Sequence, residues 1–148
     1  MENLFIFKLG GSCLKNKEAM EQSLKIINYY LPKGKLVIVT SAFFGITDEL
    51  LAWIDILQES TTKQPIVEKI ESIKQFHEKI INTMILKTEI QNDAINFLQQ
   101  SITELNNIIP DLIGRKIDLK RIDLIISYGE RLSTYIFSKF LADRKSVV

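Results

Sequence analysis

The chain has 148 residues, 46% apolar and 25% charged, with a formal net charge of +1. This suffices for one domain with a real core, and the charge balance argues against a nucleic-acid or anionic-membrane surface as the main function. Cys13 is the only cysteine, the start "MENLFIFKLGG" lacks a signal peptide's basic and long apolar regions, and no apolar run nears the ~20 residues that span a bilayer, so a soluble cytoplasmic protein is expected.

"LFIFKL" (Leu4–Leu9) is a short apolar run rich in β-formers, stopped by Gly10-Gly11, and reads as a buried strand. Asn16 can cap the helix that follows, with Glu18 and Glu21 near its start. Met20, Leu24, Ile27 and Leu31 recur at helical spacing, and Pro32 and Gly34 end the helix. "KLVIVT" (Lys35–Thr40) reads as a second buried strand. A loop then leads to a helix starting near Thr47, with Asp48 and Glu49 in its first turn. Gln58–Pro65 is a polar loop. Beyond it the apolar spacing predicts two helices over residues 65–110, broken near Lys87–Thr88, where Thr88 and Gln91 have capping-box spacing. They are expected to form an antiparallel pair covering part of the sheet. Pro110 and Gly114 close this insertion. "RIDLIIS" (Arg121–Ser127) reads as a third strand, followed by the helix "GERLSTYIFSKFLA". The order β-α-β-α-(αα)-β-α implies a parallel sheet with crossover helices. "LADRKSVV" stops where a further strand is expected, as in a truncated chain.

Each expected strand ends in a polar turn that starts a helix: "GGSC", "SAFFGIT" and "SYGE". In a parallel sheet these ends share one edge, where ligands bind and helix N-termini favour anions. The residue types fit phosphoryl transfer. Gly10 and Gly11 let backbone approach phosphate oxygens. Lys8 can set an ammonium against charge developing on them. Ser41 and Thr47 offer hydroxyls, and Glu130 can hold a substrate ammonium. The loop is not a Walker A motif. Other readings stand beside these: Gly10-Gly11 as a plain strand-exit turn, Lys8 as a solvated lysine, Ser41 and Thr47 as helix caps, Glu130 as a first-turn partner of the helix dipole. Cys13 at a helix start could be a nucleophile, but the only histidine, His77, sits on the insertion with no cue bringing it near. A half-buried cysteine and a packing histidine are the simpler expectation.

"FKLGGSC" resembles the K-F-G-G-T-S signature of aspartokinases, "VTSAFFGITDELL" their V-S-A-x-x-G-V-T-N-x-L segment, and "SYGERLSTYIFSKFL" their S-F-G-E-R-L-S-x segment. The three stand in the same order over residues 5–141, with a long helical stretch between the second and third. The resemblance implies an amino-acid kinase fold, a three-layer αβα sandwich, present here in part. Aspartokinases transfer the γ-phosphoryl of ATP, with Mg²⁺, to the side-chain carboxylate of aspartate, the entry step to lysine, threonine and methionine. By resemblance Lys8 serves the ATP phosphates and the transition state, and Gly10, Gly11 and Ser12 form the phosphate loop. Ser41, Thr47 and Glu130 serve aspartate, with Glu130 at its amino group. No protein ligand to a metal is implied.

The chain departs from the family pattern at Ser12 for Thr, Cys13 for Ser and Asp48 for Asn, and by having Leu9 and Tyr128 where Phe is usual. The resemblance covers the N-terminal, amino-acid-binding half of a catalytic domain. The nucleotide pocket and the regulatory ACT domains are expected outside residues 1–148, so the chain alone is not expected to be a competent kinase. The full-length protein is expected to be a homo-oligomer that takes aspartate and ATP, with no nucleic-acid or membrane partner. Two alternatives remain at this point: a non-catalytic binding module derived from the fold, and a kinase for another amino acid. The aspartokinase-like "SYGERLS" speaks against the second.

Overall fold

Leu4–Leu9 (β1) and Lys35–Thr40 (β2) pair in parallel, from Leu4 opposite Lys35 to Leu9 opposite Thr40. The computed structural model describes residues 3–60 and 64–145. Parallel pairing requires a crossover, supplied by the helix Lys17–Tyr30 (α1). Asn16 caps α1 as expected, its side chain accepting from the Ala19 N–H at 3.0 Å. Tyr30 meets Phe5 and Phe7 of β1 at ring-centroid distances of 5.0 and 5.1 Å, so α1 covers one sheet face. The other face carries Leu4, Ile6, Val37 and Val39, all exposed.

After β2 the chain forms Ile46–Glu59 (α2), Gln64–Met84 (α3), Thr88–Ile108 (α4) and Leu119–Asp143 (α5). The polar loop expected over Gln58–Pro65 is shorter at both ends, and residues 61–63 lie outside the described residues. Helix α3 packs on α2 and α4, and α4 packs on α5. The three-residue link between α3 and α4 makes them an antiparallel pair, whose main contacts are to α2 and α5 and not to the sheet. The break falls where expected, but Lys87 is the cap position and Thr88 caps nothing. The Gln91 side chain donates to the Ile85 carbonyl at 3.2 Å, so no capping box forms. Instead the buried Asp143 on α5 accepts from the Leu86 and Lys87 N–H groups at 3.2 and 2.9 Å.

The expected third strand is not formed. Arg121–Ser127 is the first part of α5, and "SYGE" lies inside that helix. Its isoleucines look strand-like locally, yet Ile125, Tyr128, Leu132, Ile136 and Phe140 are all buried at helical spacing. Asp118 caps the start, accepting from the Arg121 N–H at 3.0 Å. Packing of a continuous apolar stripe overrides the weak β preference of Ile-Ile. Gly129 is no turn residue either. A Cβ there would lie 3.1 Å from Ala42 Cβ and Ile46 Cγ2 and 3.2 Å from Leu50 Cδ1, so glycine lets α5 approach α2 closely.

The architecture is therefore mixed α/β, mostly helical, with a small parallel sheet. The buried core runs through all five helices, with Trp53, Phe43, Phe137 and Phe140 among its largest members. Described residues account for one helical layer and the sheet of the expected three-layer sandwich, with the helical insertion in place.

Candidate active site

β1 ends at Leu9, and Gly10 leads into a 3-10 turn over Gly11–Leu14, closed by the Cys13 N–H donating to the Gly10 carbonyl at 2.9 Å. A Cβ built on Gly10 would lie 3.9 Å from Lys8 Nζ and 4.0 Å from Ser12 Oγ. The ammonium and the hydroxyl thus flank an open space above bare backbone. Lys8 is exposed, with no carboxylate partner among the described residues. Such a cradle fits a phosphate group: a cation, a hydroxyl, and backbone with no Cβ in the way.

Gly11 brings the second loop in. A Cβ there would sit 3.2 Å from the Ala42 carbonyl oxygen and 3.4 Å from Phe44 Cα, so the "GGSC" turn rests directly on the Ser41–Gly45 backbone. Ser41 extends the ladder, its N–H donating to the Leu9 carbonyl at 2.9 Å. Gly45 then takes a left-handed φ of 84° and starts α2. Thr47 stands in the first turn of α2, where N–H groups lack intrahelical acceptors.

Glu130 arrives differently from the expectation. It comes from the middle of α5, not from a strand end, so no helix N-terminus accompanies it. Two hydroxyls hold this part of α5 to β2 and its loop. The buried Ser133 hydroxyl lies 2.6 Å from the Ser41 carbonyl oxygen and 3.0 Å from that of Glu130. Thr134 Oγ1 and Thr40 Oγ1 are 2.6 Å apart. The Glu130 side chain is exposed and has no hydrogen-bond or ion-pair partner among the described residues. It lines an open cleft of about 640 Å³ along β2, with Val39, Thr134 and Ser138.

Beside it, Glu104 of α4 accepts from the Tyr128 hydroxyl at 3.0 Å and from Arg131 at 3.3 Å. The Tyr128 hydrogen bond holds the Glu104 carboxyl below its ordinary pKa. Burial, with that same bond, pushes Tyr128 up.

The structure therefore gathers Lys8, Gly10, Gly11 and Ser12 with the Ser41 loop, and ties the Glu130 turn to the Ser41 backbone. Among the described residues, no hydrogen bond joins the side chains of Ser41, Thr47 and Glu130. Cys13 is half-buried, with its carbonyl accepting from Ser23 Oγ at 3.3 Å. His77 is far from any thiol role: it is wholly buried, packed edge-on between Phe43 and Phe76. No group of three or more metal-ligating side chains occurs among the described residues, and no helix there is long and apolar enough to cross a membrane.

The amino acid kinase family model matches residues 3–146. The chain belongs to the amino acid kinase family. Among relatives of this kinase-family chain are aspartokinase 3 and aspartokinase 2 of Arabidopsis thaliana, both chloroplastic, each 26% identical over 137 residues. Those matches cover 92% of this chain but 23% and 24% of the relatives, so it spans about a quarter of their length. The fold is similar to that of E. coli aspartokinase III in complex with lysine and aspartate, with a TM-score of 0.76 at 22% identity over 96% of this chain and 29% of that one.

Within this amino acid kinase chain, sequence reasoning missed Ser133, Thr134 and Gly129 as positioning residues. Ser133 and Thr134 lie inside the recognised "SYGERLST" stretch, but their small hydroxyls look like ordinary helix-surface residues until α5 is seen against β2.

Proposed function

We propose that residues 1–148 form the amino-acid-binding half of an aspartate kinase. Lys8, Gly10, Gly11 and Ser12 take the ATP phosphates, and Ser41, Thr47 and Glu130 take L-aspartate. The observation that carries this reading is the Ser41–Gly45 loop, whose backbone touches the lysine–glycine turn at Gly11 and the Glu130 turn of α5 through Ser133. In the reaction, an oxygen of the aspartate side-chain carboxylate bonds to the γ-phosphorus of ATP and the bond to the bridging oxygen breaks, releasing ADP. Lys8 offsets charge on the transferring phosphoryl oxygens. Ser41 and Thr47 hydroxyls orient the carboxylates of aspartate, and Glu130 pairs with its ammonium. Mg²⁺ would enter on the ATP phosphates, as this ion commonly does with few protein ligands. The product enters the route to lysine, threonine and methionine.

Titration of the chain with L-aspartate and with ATP–Mg²⁺, read by backbone amide shifts, tests the assignment. Aspartate should move Ser41, Thr47 and Glu130, and ATP should move Gly10–Ser12. Glu130→Gln should weaken aspartate by about tenfold to a hundredfold, the range for a lost charge-assisted hydrogen bond, and spare ATP. Lys8→Ala should do the reverse. Unchanged shifts at Ser41, Thr47 and Glu130 with saturating aspartate would sink the reading. Hydroxylamine trapping of the acyl phosphate made by the full-length protein, across candidate acids, separates aspartate from other acceptors.

A further inference from the structure

A second pocket lies between the start of α1 and the C-terminal half of α3. It encloses about 290 Å³. Its floor and walls are Leu14, Met20, Phe76, Ile80 and Met84, of which Leu14, Met20 and Met84 are almost wholly buried. Its rim holds Lys15, Lys17 and Lys79, and no carboxylate lines it. Lys17 has a long contact of 3.9 Å to Glu21, whereas Lys15 and Lys79 have no ion-pair partner among the described residues. The partial positive charge of the α1 N-terminus adds to the same side.

We propose that this pocket binds a small organic carboxylate with an apolar body and no amino group. Three lysines around an apolar floor match a ligand with one anionic end and one apolar end. A zwitterionic amino acid would set its own ammonium against the lysines with no carboxylate to receive it. The volume sits at the lower end for ligand pockets, roughly 300–1,000 Å³, and accommodates one ring or branched chain with a short acid arm. The pocket adjoins the first loop of the strand-end cradle and is linked to the second through one lining ring. Leu14 closes the "GGSC" turn, and the Phe76 ring meets Phe43 of the second loop edge-on at 6.2 Å. An occupant is therefore placed to bear on both loops. The inference requires neither aspartate nor ATP, so it stands or falls apart from the kinase reading.

Phenylacetate is the probe, with neutral phenylacetamide and cationic phenethylamine as its isosteric controls. Titration of the 148-residue chain should give saturable shift changes at Leu14, Met20, Phe76 and Met84. Phenylacetate should bind at least tenfold more tightly than either control. The double variant Lys15→Gln/Lys79→Gln, at exposed positions, should weaken phenylacetate at least tenfold with an unchanged thermal midpoint. Ile80→Trp, which fills the cavity from its wall, should abolish the shifts. Absence of saturable shifts at the lining residues overturns the proposal. So does equal binding of phenylacetamide, or a lysine double variant that binds like the parent.

Discussion

His77 has no exposed surface, and its Nδ1 lies 2.7 Å from the Ile73 carbonyl oxygen. A carbonyl can only accept, so Nδ1 carries the proton and the buried Nε2 is left as a lone pair with no partner. Charging the ring would place an unsolvated cation among Phe43, Phe76 and isoleucines. Burial therefore lowers its pKa from 6.5 to about 4, only partly opposed by the Ile73 bond. Between those values the unfolded chain binds the proton and the folded chain does not. The His77 contribution is thus full above about pH 6.5 and lost as pH falls toward 4, a span worth roughly 3 kcal/mol. Urea unfolding of the parent and of His77→Leu at pH 7 and pH 4.5 should show a clearly smaller acid loss in the variant. Equal losses would refute the assignment. At Gly129 the argument is steric. Ala42, Ile46 and Leu50 already stand 3.1–3.2 Å from where a Cβ would be. Gly129→Val should cost about 1–3 kcal/mol by overpacking, read from the denaturant midpoint.

At the scale of elements, α5 decides how the site is assembled. Its 25 residues run from the Asp118 cap to Asp143, and between them carry Glu130, the Ser133 hydroxyl and the Gly129 approach. At its C-terminal end Asp143 acts on another element, taking two N–H groups of the α3–α4 link. Removing that carboxylate strands two donors in a partly buried corner, so Asp143→Ala should destabilise by about 1–3 kcal/mol. Hydrogen exchange should show the loss first at Leu86 and Lys87; uniform loss across the chain would contradict the cap. The α1, β1 and β2 boundaries were legible because caps, Pro32 and the glycines punctuate them. The start of α5 was not, since Arg121–Ser127 carries a β-like run whose helical period only emerges when extended through Phe140.

At the scale of the molecule, the described residues cover the sheet on one side only. Parallel sheets occur almost entirely with both faces covered. Here Leu4 and Ile6 are 60% and 66% exposed, and Val37 and Val39 are 45% and 47% exposed. With both strands at an edge, this face favours association. Sedimentation should show concentration-dependent self-association of the chain, reduced by the double variant Ile6→Lys/Val37→Glu. Association unchanged in that variant would place the sticky surface elsewhere. The alternating burial along both strands was not evident from the sequence, where each reads as a continuous apolar run suited to cover on two sides.

Local chemistry determined much of this protein from sequence alone: two strands stopped by glycine or a polar loop, capped helices, the helical insertion, and three motifs resembling an aspartokinase. Those features depend on contacts within a few residues, which the order of side chains specifies directly. The tertiary structure decided what depends on distant partners. It turned Arg121–Ser127 into helix because α5 had a stripe of neighbours to bury against. It made Gly129 a point of approach and placed Ser133 between the Ser41 and Glu130 carbonyls. It also showed that Lys8 and Ser12 flank Gly10, and that Glu130 stands on the side of a helix and not at a strand end.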